Sequence, residues 1–298
     1  MGPPHAIEVI ALFGPTASGK TAVAEALADA LATEVVSADA LQVYRGLPIL
    51  TNQPCRSTRL VGIRELDETM SVGEYGPLAH AAIDDVVAQH GIVVVAGGSG
   101  LYLRAALSEL AVPPAPAPGV RERIEREVGS DPEAAHRRLE ALDPAAAALV
   151  HPNDMRRVVR ALELAEAGAT LAPPQSRLWA DDARRPTMIF GLEVPEQELE
   201  ARIVARADAM FAAGVVDEVR DVIAGTVSRT AEAALGLREI ATLDHREALD
   251  RIVVRTRRYA AYQRKWMRRI PGLVEVDGCA PSSEIAAEIL ALAGVSPR

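Results

Sequence analysis

Lysine and cysteine are nearly absent from this chain of 298 residues, which holds two of each. Cys55 and Cys279 stand far apart with no metal-like spacing, which fits a reduced cytoplasmic setting. No apolar run reaches membrane-spanning length and the N-terminus lacks a basic-then-apolar signal pattern, so neither a membrane partner nor secretion is expected. The six histidines show no ligand spacing, and His151, beside Pro152-Asn153-Asp154, reads as structural. No Ser/His/Asp or Cys/His nucleophile arrangement can be assembled, which disfavours a metal-only hydrolase. Aromatics make up only 3%, and the Ala- and Arg-rich bias looks genomic rather than functional. No spare apolar stripe remains to bury against a second copy, so a monomer is expected.

Against that background Lys20 is not incidental. It closes Gly14-Pro15-Thr16-Ala17-Ser18-Gly19-Lys20-Thr21, a complete phosphate-binding loop. A buried-strand run, Ile7–Phe13, precedes the loop and a helix follows it, which is the context the pattern needs. Glycines let backbone N–H groups close around phosphate oxygens, while Lys20 and the Thr21 hydroxyl reach the outer phosphate and its Mg²⁺. The plain alternative is a decorative glycine turn. The motif points instead to a bound diphosphate or triphosphate.

Short β-branched runs at Ile7–Phe13, Glu34–Ser37, Ile92–Ala96, Thr187–Val194 and Leu273–Val276 alternate with helical stretches. This predicts an α/β fold of the P-loop NTPase type, a parallel sheet with helices on both faces. Helices are expected at 19–31, 74–90, 100–110, 197–212, 214–224, 231–242 and 245–269. Two proline-rich breaks, at 112–118 and 172–174, bracket a stretch with helical periodicity and no strand signal. The chain therefore divides into a first part of the core, 1–112, a small all-helical insertion, 113–174, and the second part of the core, 175–298.

In such a sheet ligands sit beyond the carboxyl ends of the strands, which brings Asp39, after the second strand, opposite the phosphate loop. Its carboxylate can hold Mg²⁺ or take a proton from a nucleophile, or it can simply cap a turn. The third strand runs into Gly97-Gly98-Ser99-Gly100 where a nucleotide hydrolase would carry an acid, which weighs against hydrolysis. Those glycines otherwise read as a tight turn. Arg202 and Arg206, one helical turn apart, can clamp a diphosphate or form a surface salt-bridge pair with Glu198.

Net charge is −9, yet residues 251–270 carry eight cations and no acid. Leu249, Ile252, Val253, Thr256, Ala260, Gln263, Trp266 and Met267 form the buried stripe of that helix. Arg251, Arg255, Arg258, Tyr262, Lys265 and Arg269 form another, a ladder suited to a phosphate backbone. A solvated basic face is the alternative.

Taken together, in order, these segments resemble the tRNA dimethylallyltransferases (tRNA isopentenyltransferases). The carriers are Gly14–Thr21; Ser37-Ala38-Asp39 through Gln42-Val43-Tyr44-Arg45-Gly46-Leu47; Gly97–Leu103; His151-Pro152-Asn153-Asp154 with Arg157 and Arg160 to Glu163; and Arg257 to Gln263 with Trp266 and Arg268. The resemblance implies transfer of a dimethylallyl group from dimethylallyl diphosphate to the exocyclic N6 amine of the adenine 3′ of the anticodon in tRNA. The loop Gly14, Pro15, Thr16, Ala17, Ser18, Gly19, Lys20 and Thr21 would then hold the donor's diphosphate. Lys20, Thr21, Mg²⁺ and Arg202 or Arg206 would neutralise the leaving group, with Thr21 and Asp39 as metal ligands. Asp39 would be the base, and Thr16 and Ser99 would orient donor and acceptor. By the same resemblance Asp39, Ala40, Leu41, Gln42, Ser99, Arg121, Arg156, Arg157, Val158, Val159 and Arg160 would touch the anticodon stem-loop, joined by Arg255 and Arg258 of the ladder. Ser99 stands where the family commonly has threonine, and Ala261-Tyr262 where a basic pair is usual. Rival readings are an adenylate isopentenyltransferase acting on free AMP, ADP or ATP, an ATP-dependent small-molecule kinase, and a non-catalytic RNA-binding relative.

Overall fold

The computed structural model describes residues 7–110, 113, 116–117, 119–129, 131–172 and 182–298. They fall into two compact units, one formed by residues 1–109 with 181–298 and the other by 110–180. The proline-rich breaks at 112–118 and 172–174 lie largely outside the described residues.

The first unit is built on five parallel strands, β1 (Val9–Phe13), β2 (Val35–Ser37), β3 (Val93–Gly97), β4 (Thr187–Glu193) and β5 (Leu273–Asp277), in the order β2-β3-β1-β4-β5. All five residues of β1 are buried, as a central parallel strand covered on both faces requires. On one face Ile10, Leu12, Val94, Phe190 and Leu192 pack with Val23, Leu27 and Leu31 of α1 (Lys20–Leu31) and Ile285 and Ile289 of α12 (Ser282–Ala293). On the other, Gly191 gives way to Met267 of α11 (His245–Met267), whose sulfur would lie 3.0 Å from a Cβ built there. Register places Phe13, Gly97 and Gly191 side by side at the carboxyl edge. The loops after β1, β2 and β3 therefore leave from one rim, which holds the candidate site.

α2 (Val72–His90) starts with a capping box in which Ser71 and Glu74 satisfy each other's backbone donors. It is followed by α3 (Gly100–Leu107), and after β4 come α8 (Glu196–Ala212), α9 (Val215–Ile223) and α10 (Leu237–Thr242). Each strand lies within one or two residues of its expected bounds. The single helix expected over 231–242 is instead a short 3₁₀ turn, Ala231–Ala233, and then α10. Gly236 breaks it with a φ of +103°, and a Cβ there would come within 2.9 Å of Leu50. α12, which completes the sheet's covering, was not among the expected helices.

The second unit holds α4 (Val120–Val128), α5 (Pro132–Leu142), α6 (Pro144–Leu149) and α7 (Met155–Glu166), with no strand among its described residues. Asp131, Asp143 and Asp154 each accept backbone N–H groups at the starts of α5, α6 and α7. Ile124, Leu139, Val158 and Leu162 form its core.

Candidate active site

The phosphate loop joins β1 to α1, and Gly19 turns the chain into the helix with a φ of +91°. Lys20 is half-buried and its ammonium donates to the Pro15 carbonyl at 2.6 Å. Burial pushes that ammonium down to about 7, opposed by the Asp39 carboxylate and assisted by the Arg206 guanidinium. The Ser18 hydroxyl is buried with no hydrogen-bond partner among the described residues. An ammonium turned into the loop and a spare buried hydroxyl describe a cradle shaped for an anion.

Arg206 donates to the Thr16 hydroxyl at 2.7 Å and so joins the loop. Burial lowers its pKa and Asp39 opposes this, but a guanidinium stays charged. Arg202 does not join it. Its guanidinium bonds Glu198 at 2.8 Å and the Gly278 carbonyl at 3.0 Å, so at this position the salt-bridge alternative holds.

Asp39 serves a turn and faces the site at once. One carboxylate oxygen accepts Leu41 N–H at 2.9 Å and Gln42 N–H at 3.3 Å. The other has no hydrogen bond among the described residues, and the side chain lines a crevice with Lys20, Thr21, Glu25 and Gln42. Ala40 and Leu41 are half-buried, and Leu41 leans on the cluster around Leu47 and Leu50. Gln42 accepts the Ser37 hydroxyl at 2.8 Å and donates to the Asn52 carbonyl at 2.9 Å, which pins it to its own loop. Among the described residues no group of three or more His, Cys, Asp or Glu could hold a metal ion. A cation here would therefore depend on Thr21, Asp39 and ligand oxygens.

β3 carries no carboxylate and ends in the glycine turn, whose glycines answer to close approach. A Cβ on Gly97 would stand 2.0 Å from the Ala38 carbonyl oxygen, one on Gly98 2.4 Å from Gln263 Nε2, and one on Gly100 2.2 Å from the Trp266 ring. Ser99 is the N-cap of α3, yet its hydroxyl makes no capping bond.

Sequence reasoning placed Gln263 on the buried stripe of α11 and gave it no task. Its Oε1 accepts Thr16 N–H at 2.7 Å and its Nε2 donates to the Gly98 carbonyl at 2.7 Å, with 3% of the residue exposed. The available signal was an amide on an otherwise apolar stripe. Tyr259, one turn earlier, also lies here, its phenol pushed up by burial and then by the Asp39 carboxylate.

Residues 42–270 match the profile of the IPP transferase family, and residues 7–68 that of isopentenyl transferase. A tRNA dimethylallyltransferase of Anaeromyxobacter dehalogenans is 42% identical over 90% of this chain and 94% of its own. One of Kineococcus radiotolerans is 41% identical over 91% of this chain and 90% of its own. The full-length tRNA isopentenylpyrophosphate transferase of Bacillus halodurans superposes with a TM-score of 0.69 at 29% identity, over 96% of each chain. The chain belongs to the tRNA dimethylallyltransferase family.

For a member of that family the basic surfaces matter next. The ladder on α11 is exposed, but it is not free of acids once folded. Arg255 is paired with Glu239 of α10, Arg251 with Glu247, Arg257 with Glu200 of α8, and Arg264 with Glu193 of β4. Three of these four acids come from neighbouring elements, which a linear count could not show; Glu247 belongs to α11 itself. Arg258 and Lys265 have no ion-pair partner among the described residues and stand in solvent.

In the second unit Arg121 and Arg160 converge on Glu163, at 2.9 and 3.0 Å, and that carboxylate is buried. Arg156 and Arg157 point to solvent with no ion-pair partner among the described residues. Val158 and Val159 do not fit the expected contact with RNA. They are 0% and 3% exposed and belong to the core of this unit. No helix among the described residues is long and apolar enough to cross a membrane.

Proposed function

We propose that this chain transfers a dimethylallyl group from dimethylallyl diphosphate to the exocyclic N6 amine of the adenine 3′ of the anticodon in tRNA, releasing diphosphate. The observation that carries the chemistry is the Lys20 ammonium held on the Pro15 carbonyl, with Arg206 bonded to Thr16 of the same loop and Asp39 lining the same crevice. That arrangement calls for a polyanion with a reacting centre next to a carboxylate. The same rim has no acid on β3 to activate water, which favours transfer over hydrolysis.

An allylic diphosphate ionises once its leaving group is neutralised. The C1–O bond breaks with its electron pair leaving on diphosphate, against Lys20, Arg206 and the loop's backbone N–H groups. The adenine N6 lone pair forms the new C1–N bond, and the N6 proton passes to the uncommitted oxygen of Asp39. Thr16 and Ser99 present hydroxyls to donor and acceptor. The Thr21 hydroxyl directly, and Asp39 through water, are hard oxygen donors of the kind that would hold Mg²⁺ beside substrate phosphates, and the cation would supply further charge neutralisation. The adenine leaves the anticodon-loop stack to reach this rim. Arg156 and Arg157, with Arg258 and Lys265, hold the RNA backbone, and the enzyme works as a cytoplasmic monomer.

The test offers labelled dimethylallyl diphosphate and Mg²⁺ with an anticodon stem-loop, with AMP, or with ATP and small alcohols. Label is expected on the stem-loop. Label on AMP and not on the stem-loop, or phosphate transfer from ATP, overturns the reading.

A further inference from the structure

We propose that Gln263 is a positioning residue of the transfer reaction, whose one carboxamide locks the phosphate loop to the glycine turn and thereby holds the donor's diphosphate cradle in its working shape. The proposal rests on the prenyl-transfer reading of the site and assigns a further residue to it.

The Thr16 N–H that Gln263 accepts and the Pro15 carbonyl that receives the Lys20 ammonium belong to one peptide unit. That unit is planar, so fixing its N–H fixes the direction of its carbonyl. Thr16 also supplies the hydroxyl that anchors Arg206. The orientation of a single peptide thus governs where two cations rest, and Gln263 sets it from a helix 247 residues further along the chain.

The other end of the amide reaches the Gly98 carbonyl, next to Ser99. Both loops are therefore referred to one buried group. Gly98 and Gly100 leave the space that Gln263 and Trp266 fill, since a Cβ at either position would fall within 2.4 Å of one of them. An amide is costly to bury unless both ends are paired, and here both are. A residue needed only to fill the stripe would not have to be polar. Leu or Met would pack there without that cost.

Gln263→Met removes both hydrogen bonds at similar volume. Gln263→Asn keeps the amide but falls one methylene short, and Gln263→Glu keeps the oxygen that receives Thr16 N–H. Binding of inorganic diphosphate to the full chain is measured by calorimetry, and KM for dimethylallyl diphosphate and for the stem-loop by steady-state transfer. The Met and Asn variants should weaken diphosphate binding and raise the donor KM about tenfold, one hydrogen bond's worth of affinity, with the stem-loop KM within about twofold. The Glu variant should lose as much or more, since its second oxygen faces the Gly98 carbonyl with no proton to donate and its charge opposes the diphosphate. If the Met variant does not fold, the Asn variant gives the same reading. Wild-type diphosphate binding in either folded variant, or donor and stem-loop KM values rising together, overturns the proposal. Diphosphate binding needs no prenyl transfer, so this failure is separate from absence of label on the stem-loop, which would overturn the functional reading itself.

Discussion

Asp39 shows how a single side chain can satisfy two readings that sequence alone sets against each other. One oxygen closes the turn at Leu41 and Gln42, and the other faces the crevice beside Lys20. Asp39→Ala should leave stem-loop affinity nearly intact and cut the single-turnover rate by about a hundredfold or more, as loss of a general base does. Rapid-quench measurement at saturating donor checks this, and near-wild-type turnover would remove Asp39 from the chemistry. The glycine turn yields a second expectation at this scale. Gly97→Ala places a Cβ 2.0 Å from a backbone oxygen that cannot rotate away, whereas Gly225→Ala meets nothing nearer than 3.7 Å. Urea unfolding should show Gly97→Ala less stable by about 1–3 kcal/mol or more, with Gly225→Ala close to wild type.

Helix α11 carries an apolar stripe, a cross-linking amide and a basic face, and only the first and last were legible in the sequence. Periodicity marked Ile252, Ala260 and Met267 as buried, and they are. The pairing of Arg255 with Glu239 was not legible, because the acid comes from another helix. The same limit explains Arg202 and Arg206. Their spacing gave two equal candidates, and only tertiary placement turned Arg206 toward Thr16 and Arg202 toward Glu198. The glycine turn looked like a generic tight turn because its reason, Gln263 and Trp266, lies far along the chain. In contrast, the strands and the phosphate loop declare themselves in contiguous residues, so they could be read directly. Of the ladder cations, Arg258 and Lys265 have no ion-pair partner among the described residues. Replacing both with Gln should lower the log–log salt slope of stem-loop binding by about one to two units, while Arg255→Gln should change it little. An unchanged slope in the double variant would mark the face as merely solvated.

At the scale of the whole molecule, a chain of net charge −9 carries its cations in local concentrations: beside the phosphate loop, along α11, and on the exposed side of α7. Net charge alone would have argued against an RNA substrate; its distribution argues for one. The α/β unit positions three loops on one rim, and the helical unit forms a separate compact body with a core of its own. The central claim is that the glycine loop grips the leaving group of a prenyl donor. Equilibrium competition tests it most directly, with an unreactive dimethylallyl diphosphate analogue and an unreactive ATP analogue offered at equal concentration with Mg²⁺. The prenyl analogue should occupy the loop, and Lys20→Met should abolish its binding. Preferential occupation by the nucleotide, with its terminal phosphate beside Asp39, would contradict it.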